Sequence, residues 1–188
     1  MPRPVAVTIA ALYRRTQERI LTVTGDLSTD EFAQRWDHAN SIAFDVWHCA
    51  RWADHLQSLL PAMVPQLQRL GSRPQIWERE KLAAAWGFDP AELGDSETGM
   101  GIDGTIADRL AMPPKEAVVQ YAQRAFESAW EATAQLHDVE LPMDAMVNGK
   151  PSGTVAGWVI GYYEHDNRHL GMIELRRGLL GRRGTATR

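Results

Sequence analysis

Residues 155–180, VAGWVIGYYEHDNRHLGMIELRRGLL, repeat apolar side chains at every third or fourth position, and no other feature constrains the fold as strongly. A segment of this length and period forms a helix of about seven turns that must bury one face. Each residue advances about 100° around the axis. Trp158, Gly161, Tyr162, His169, Met172 and Arg176 then lie within roughly 60° of His165, with Ile173 just beyond. His165 and His169 sit in the middle of the inward stripe. Asn167, Glu174 and Arg177 fall on the far side, which is expected to meet solvent. Glu164 and Asp166 lie about 100° off the His165 direction and are expected to be surface carboxylates.

Three more long helices are expected. The first runs from Val5 to Val23, with Ile9, Leu12, Tyr13, Thr16, Ile20 and Val23 on one stripe and Gly25 as a stop. The second runs from Ser41 to Leu60 and ends near Pro61. The third follows MPPKE, with Pro114 in its first turn, and reaches Leu136 through Val119, Ala122, Phe126, Ala129 and Thr133. The helix over residues 155–180 closes at Leu180, with Gly181 as its cap. A short helix is signalled by LSTDEF, where Ser28 and Glu31 have capping-box spacing and Leu27 and Phe32 can staple the start. Two connections exceed what a minimal bundle needs. Residues 61–112 hold one or two helical pieces, QIWEREKLAAAWG being the clearer, and then a loop rich in Gly, Asp and Ser. Residues 138–153 contain VNGK, which suits a tight hairpin turn. The expectation is an all-α four-helix bundle with these two elaborated connections, folded as one domain over residues 1–188.

Composition excludes several roles. A formal charge of −4 and a pI near 5.9 give no general attraction to nucleic acid or to an anionic membrane. No stretch approaches the roughly 20 apolar residues needed to span a bilayer. The N-terminal segment reads as an amphipathic helix and not as a signal peptide. The single cysteine, Cys49, rules out a disulfide framework and a cysteine-rich metal cluster, and a reducing cytoplasm is the expected compartment.

The second helix repeats the oddity of the last one. Ser41, Phe44, Asp45, Arg51, Trp52, His55 and Leu59 share the face centred on His48, while Ile42, Val46, Cys49, Ala50, Ala53 and Leu60 make the other side apolar too. A helix buried on most of its circumference cannot hold Asp45, His48, Arg51 and His55 inside unless they find partners. A bound metal or a hydrogen-bonded polar network would each supply them. A histidine pair at i and i+4 also arises by chance in a chain with six histidines, and lone buried histidines are commonly neutral and hydrogen-bonded.

The pairing of SIAFDVWHCARWADH with EHDNRHLGMIELRRGLLG resembles the DinB-like superfamily of metal-binding four-helix bundles. The resemblance follows helix order over nearly the whole chain, though only these two stretches match closely. It implies a metal triad of His48, His165 and His169. It also implies a small-molecule enzyme, since the superfamily includes S-transferases that use thiols such as bacillithiol or mycothiol, and mycothiol-dependent maleylpyruvate isomerases are similar. Three neutral imidazoles leave a divalent cation with open positions, suited either to activating a thiol cofactor or to metal-hydroxide hydrolysis. Zinc or nickel is the expected metal.

Other residues have candidate roles. Asp45 and Arg51 lie one turn from His48 and suit orientation of a ligand or contact with substrate. His55 is a candidate general base and equally a structural histidine. Tyr162 can donate to a substrate or simply pack. Arg176 can meet a carboxylate, although a cation late in a helix also suits the dipole. GMGIDG spells a dinucleotide fingerprint, but no strand precedes it, so it is expected to be a loop. Cys49 points about 100° from His48 and is left out of the metal site. Trp77 and Trp86 can line a cavity in the long connection. The basic tail is read as a solvated terminus. A non-catalytic bundle that binds a metal or small molecule is the alternative from another class, and a homodimer fits every reading.

Overall fold

The computed structural model describes residues 4–37 and 39–185. Four long helices dominate: α1 (Val5–Gly25), α3 (Ile42–Met63), α7 (Lys115–Thr133) and α8 (Val155–Leu179). Between the first two lies α2 (Thr29–Ala33), and the first long connection holds α4 (Ile76–Arg79), α5 (Leu82–Ala85) and α6 (Gly104–Arg109). The expected all-α bundle is present. In section α1 packs on α8 and α7, and α3 packs on the same two helices, so α1 and α3 occupy opposite corners. The chain crosses a diagonal between α1 and α3 and again between α7 and α8. That geometry gives the connection at 138–153 its length. It carries the hairpin β1 (Asp144–Val147) and β2 (Lys150–Thr154), turned through Asn148 and Gly149, both with positive φ as a type I′ turn requires.

Local chemistry sets the helix ends. Ser28 and Glu31 form the reciprocal capping box at α2. Ser41 caps α3, its hydroxyl accepting from Phe44 N at 3.1 Å. Beyond α8, Gly181 adopts φ +74°, and the Arg182 and Gly181 amides donate to the Arg177 and Gly178 carbonyls, the two bonds of a Schellman cap. Three expected boundaries shift. Pro61 lies inside α3, which continues to Met63; proline near a helix end forfeits one bond, and burial of Leu60 and Met63 offsets it. Helix α7 ends at Thr133; Ala134 still bonds back to Trp130, and Gln135 and Leu136 wind down through tighter i→i+3 bonds. Pro114 stands at the N-cap of α7 and not within its first turn.

The core is aliphatic and aromatic around α3, which buries residues on all sides, including Trp47, Leu56 and Leu60. Trp77 and Trp86 belong to an aromatic cluster with Trp47, Phe88 and Tyr121; Trp77 also borders a small cleft of about 230 Å³ on the first long connection. No helix is long and apolar enough to cross a membrane among the described residues.

Candidate metal centre

Helices α3 and α8 face each other, and their inward stripes bring His48, His165 and His169 together. The three ring pairs have centroid separations of 4.7, 4.8 and 4.5 Å. One nitrogen from each falls within 4.8 Å of the others. His48 Nε2 and His165 Nε2 are 2.9 Å apart.

The outer nitrogens explain why the inner ones converge. His48 Nδ1 is hydrogen-bonded to the Thr98 carbonyl oxygen. A carbonyl only accepts, so Nδ1 carries the proton and Nε2 keeps its lone pair. His169 Nδ1 donates to Asp45 Oδ1 at 3.1 Å. His165 Nδ1 faces Asp166 Oδ1 at 3.4 Å, a looser hold. A ring whose outer N–H is held by oxygen presents a basic inner nitrogen, the arrangement found behind metal-ligating histidines. Two ligands about 2.0–2.1 Å from one cation lie about 2.9 Å apart at a right angle and about 3.4 Å apart at the tetrahedral angle. The donor set therefore fits a divalent first-row metal. Without a cation the same pair closes as a polar network: the His165 proton moves to Nε2 and donates into the His48 lone pair, and a neutral Asp166 donates to the freed Nδ1.

Burial tunes these groups. It pushes His48 and His165 down to about 3, the neighbouring imidazoles adding to the effect, so both are neutral near pH 7 and able to ligate. Burial acts oppositely on Asp166 and raises it to about 7. Contrary to expectation Asp166 is wholly buried, because α1 packs along that flank of α8 and Gln17 Nε2 reaches its carboxylate at 3.2 Å. Arg177 is also buried, bonding to the Val23 carbonyl and to Asp26 across the same α1 contact. Glu164 is exposed, as expected. Cys49 lies nearer the site than its helical angle suggests, its sulfur falling within 4.8 Å of ligand atoms of His165 and Asp166; burial raises its pKa well above the usual thiol value.

The remaining candidates separate into two groups. Asp45 and Arg176 belong to the cluster. Asp45 is fully buried and divides its oxygens between His169 and the Arg176 guanidinium. Arg51 faces away from the cluster. Its Nε donates to the Glu97 carbonyl, Nη1 to Asp54 and the Tyr121 hydroxyl, and Nη2 to Gln75 and the Ser96 carbonyl. Those five bonds use all five guanidinium donors and leave none for a substrate. Through them Arg51 holds the strap at Ser96–Thr98 whose last carbonyl fixes His48. Gly99 is required at the end of that strap: with φ +85°, an added Cβ would stand 2.8 Å from His48 Nδ1. The GMGIDG segment is thus part of a loop over the site. His55 is half-buried and hydrogen-bonds Tyr162 Oη through Nδ1 at 3.0 Å; burial lowers the imidazole to about 4 and raises the phenol.

Sequence reasoning missed Thr98, Asp54, Asp166, Gln17 and the stacking role of Trp52. Thr98 acts through its backbone, so its side chain carries no signal. Asp54 accepts from the Ile76 and Trp77 amides, both at 2.9 Å, and from Tyr121 at 3.0 Å. A carboxylate in an otherwise buried stretch of α3 was the available clue. Trp52 lies flat on His165, with ring centroids 3.8 Å apart and planes 6° from parallel.

Residues 12–173 match a family profile described as the DinB superfamily. A solved crystal structure, of a conserved protein from Enterococcus faecalis, is similar over 96% of this chain and 100% of that one, with a TM-score of 0.74 and 18% identity. At that identity the likeness speaks for the fold alone. No curated protein sequence matches the chain.

Proposed function

The chain belongs to the DinB superfamily, and from that premise we propose that it is a metalloenzyme in which His48, His165 and His169 hold one zinc or nickel ion. The reaction is transfer of a small electrophile to the sulfur of a low-molecular-weight thiol, in the cytoplasm. A divalent cation on three neutral imidazoles keeps its full charge and open positions, and it favours the thiolate form of a thiol placed beside it. The observation that supports this is the convergence of three imidazoles whose outer nitrogens are each turned to an oxygen acceptor.

The protein's own groups orient and shield. Thr98 and Asp45 fix the rotation of the His48 and His169 rings, and Trp52 holds the plane of His165 by stacking. Arg176 pairs with the second Asp45 oxygen and balances its charge. His55, lowered to about 4, is a weak base at neutral pH and serves to orient the Tyr162 hydroxyl.

The decisive experiment is the metal content of the purified, untagged protein, measured by mass spectrometry beside a His165→Ala/His169→Ala double variant. About one zinc or nickel per chain in the parent, lost in the folded variant, is the expected result. A parent that takes up neither metal on reconstitution overturns the proposal. Turnover of an electrophile with no added thiol would replace the transferase by a hydrolase on the same residues.

A further inference from the structure

A cleft of about 500 Å³ opens between α8, the start of α3's C-terminal half and the hairpin. Its volume falls within the range of small-molecule sites. Trp52, Trp158 and Tyr162 form an aromatic wall, with Trp52 and Tyr162 centroids 4.8 Å apart and Trp158 and Tyr162 6.0 Å apart. Gly161 supplies bare floor in the middle of a helix, where glycine costs stability relative to alanine. A Cβ built there meets nothing within 4 Å, so the protein's own packing does not demand the glycine. Its effect is to keep the cleft open.

The cleft abuts the histidine cluster through a single ring. Trp52 shows its surface to the cleft and lies flat on His165. The Trp52 indole N–H finds no acceptor among the described residues. At the rim stand Arg168 and Glu164, both exposed. Of the two, Arg168 lies closer to the His165 direction, about 60° around the helix against about 100° for Glu164.

We infer that this cleft is the substrate pocket, and that it takes a flat, mainly aromatic molecule carrying one carboxylate, with the ring against Trp52, Trp158 and Tyr162 and the anion toward Arg168. The inference rests on the proposed metal chemistry for what becomes of the ligand, but binding itself needs only the cleft.

The test is isothermal titration calorimetry of the full chain with 1-naphthoate and its neutral amide, with metal content measured on the same samples. A dissociation constant on the order of 1 mM or tighter is expected for the carboxylate, from the efficiency of small ligands. Gly161→Leu fills the floor and should abolish binding while leaving helicity and metal content unchanged. Arg168→Gln should weaken binding about fivefold, and Glu164→Gln, which removes a like charge from the rim, should tighten it. No binding by the parent, equal binding by Gly161→Leu, or an amide that binds as well as the carboxylate overturns the inference. Any of these with metal bound leaves the metal reading standing. The expected binding pattern in a protein that holds no metal defeats the metal reading and keeps the pocket.

Discussion

Replacing Asp45 by asparagine removes one charge from a group with no exposure at all. The carboxylate now serves two donors, His169 Nδ1–H at 3.1 Å and the Arg176 guanidinium. An amide of the same shape keeps one acceptor and turns N–H groups toward the other donor. Arg176 is only 5% exposed, and Asp45 is its one ion-pair partner among the described residues. Breaking such a pair from one side leaves a buried charge uncompensated, at a cost of about 3–5 kcal/mol. With a urea m-value of about 2 kcal/mol per M, the midpoint should fall by about 1.5–2.5 M. The measurement is urea unfolding with chelator present, so that metal affinity does not enter. An Asp45→Asn/Arg176→Met double variant should be more stable than the sum of the single effects by at least about 2 kcal/mol, because it no longer strands the arginine. Metal affinity of Asp45→Asn should separately drop about 10–100-fold, since the His169 ring loses its anchor. A single variant within about 1 kcal/mol of the parent, or strict additivity in the double, refutes the reasoning.

Three other perturbations probe the surroundings of the cluster. His48 and His165 stay neutral in the folded chain down to about pH 3, whereas in the unfolded chain they titrate near 6.5. Between those values the two imidazoles bind more protons in the unfolded state, so their contribution to metal-free stability is lost as pH falls through that window, by up to about 1.4 kcal/mol per unit and per group, while Asp166, raised to about 7, offsets part of the loss. Urea midpoints at pH 7 and pH 5 check this, and a slope that does not shrink in His165→Ala counts against it. Gly99→Ala places a methyl against His48 and Trp47 at a positive φ, and should cost about 1–3 kcal/mol along with metal affinity; thermal melts with and without zinc would show both losses. Asp54→Ala strands Arg51 and two buried amides, so unfolding should become easier by at least about 3 kcal/mol, and a smaller change would mean that Arg51 finds another counter-charge.

The helices were readable because their burial repeats with the period of the backbone. Leu27, Ser28, Glu31 and Phe32 announce α2 by local chemistry, and Asn148–Gly149 announces the hairpin in the same way. Pro61 was misleading, since its local penalty is outweighed by tertiary burial. His165 and His169 stood out as polar groups on a buried stripe, and the resemblance supplied His48 as the third member of the set. Asp166 and Arg177 were misplaced for one shared reason: a single helix face was assumed to be buried, while α8 packs on both α3 and α1. Which second flank is covered depends on how the bundle closes, and no period in α8 records that. Arg51 carried a visible signal of cost but not the identity of its partners, because three of the five are backbone carbonyls or a residue from the long connection.

His48 and His165 meet across 117 positions of sequence, and the oxygen that sets the His48 ring comes from a strap 50 residues away. Contacts of that span form later and more slowly than the local turns of a helix. A growing polypeptide stopped short of residue 165 holds one histidine of the three and no chelate. On the proposed metal reading, capture of the ion is coupled to completion of the bundle, and its uptake would serve as a stopwatch for the last step of assembly.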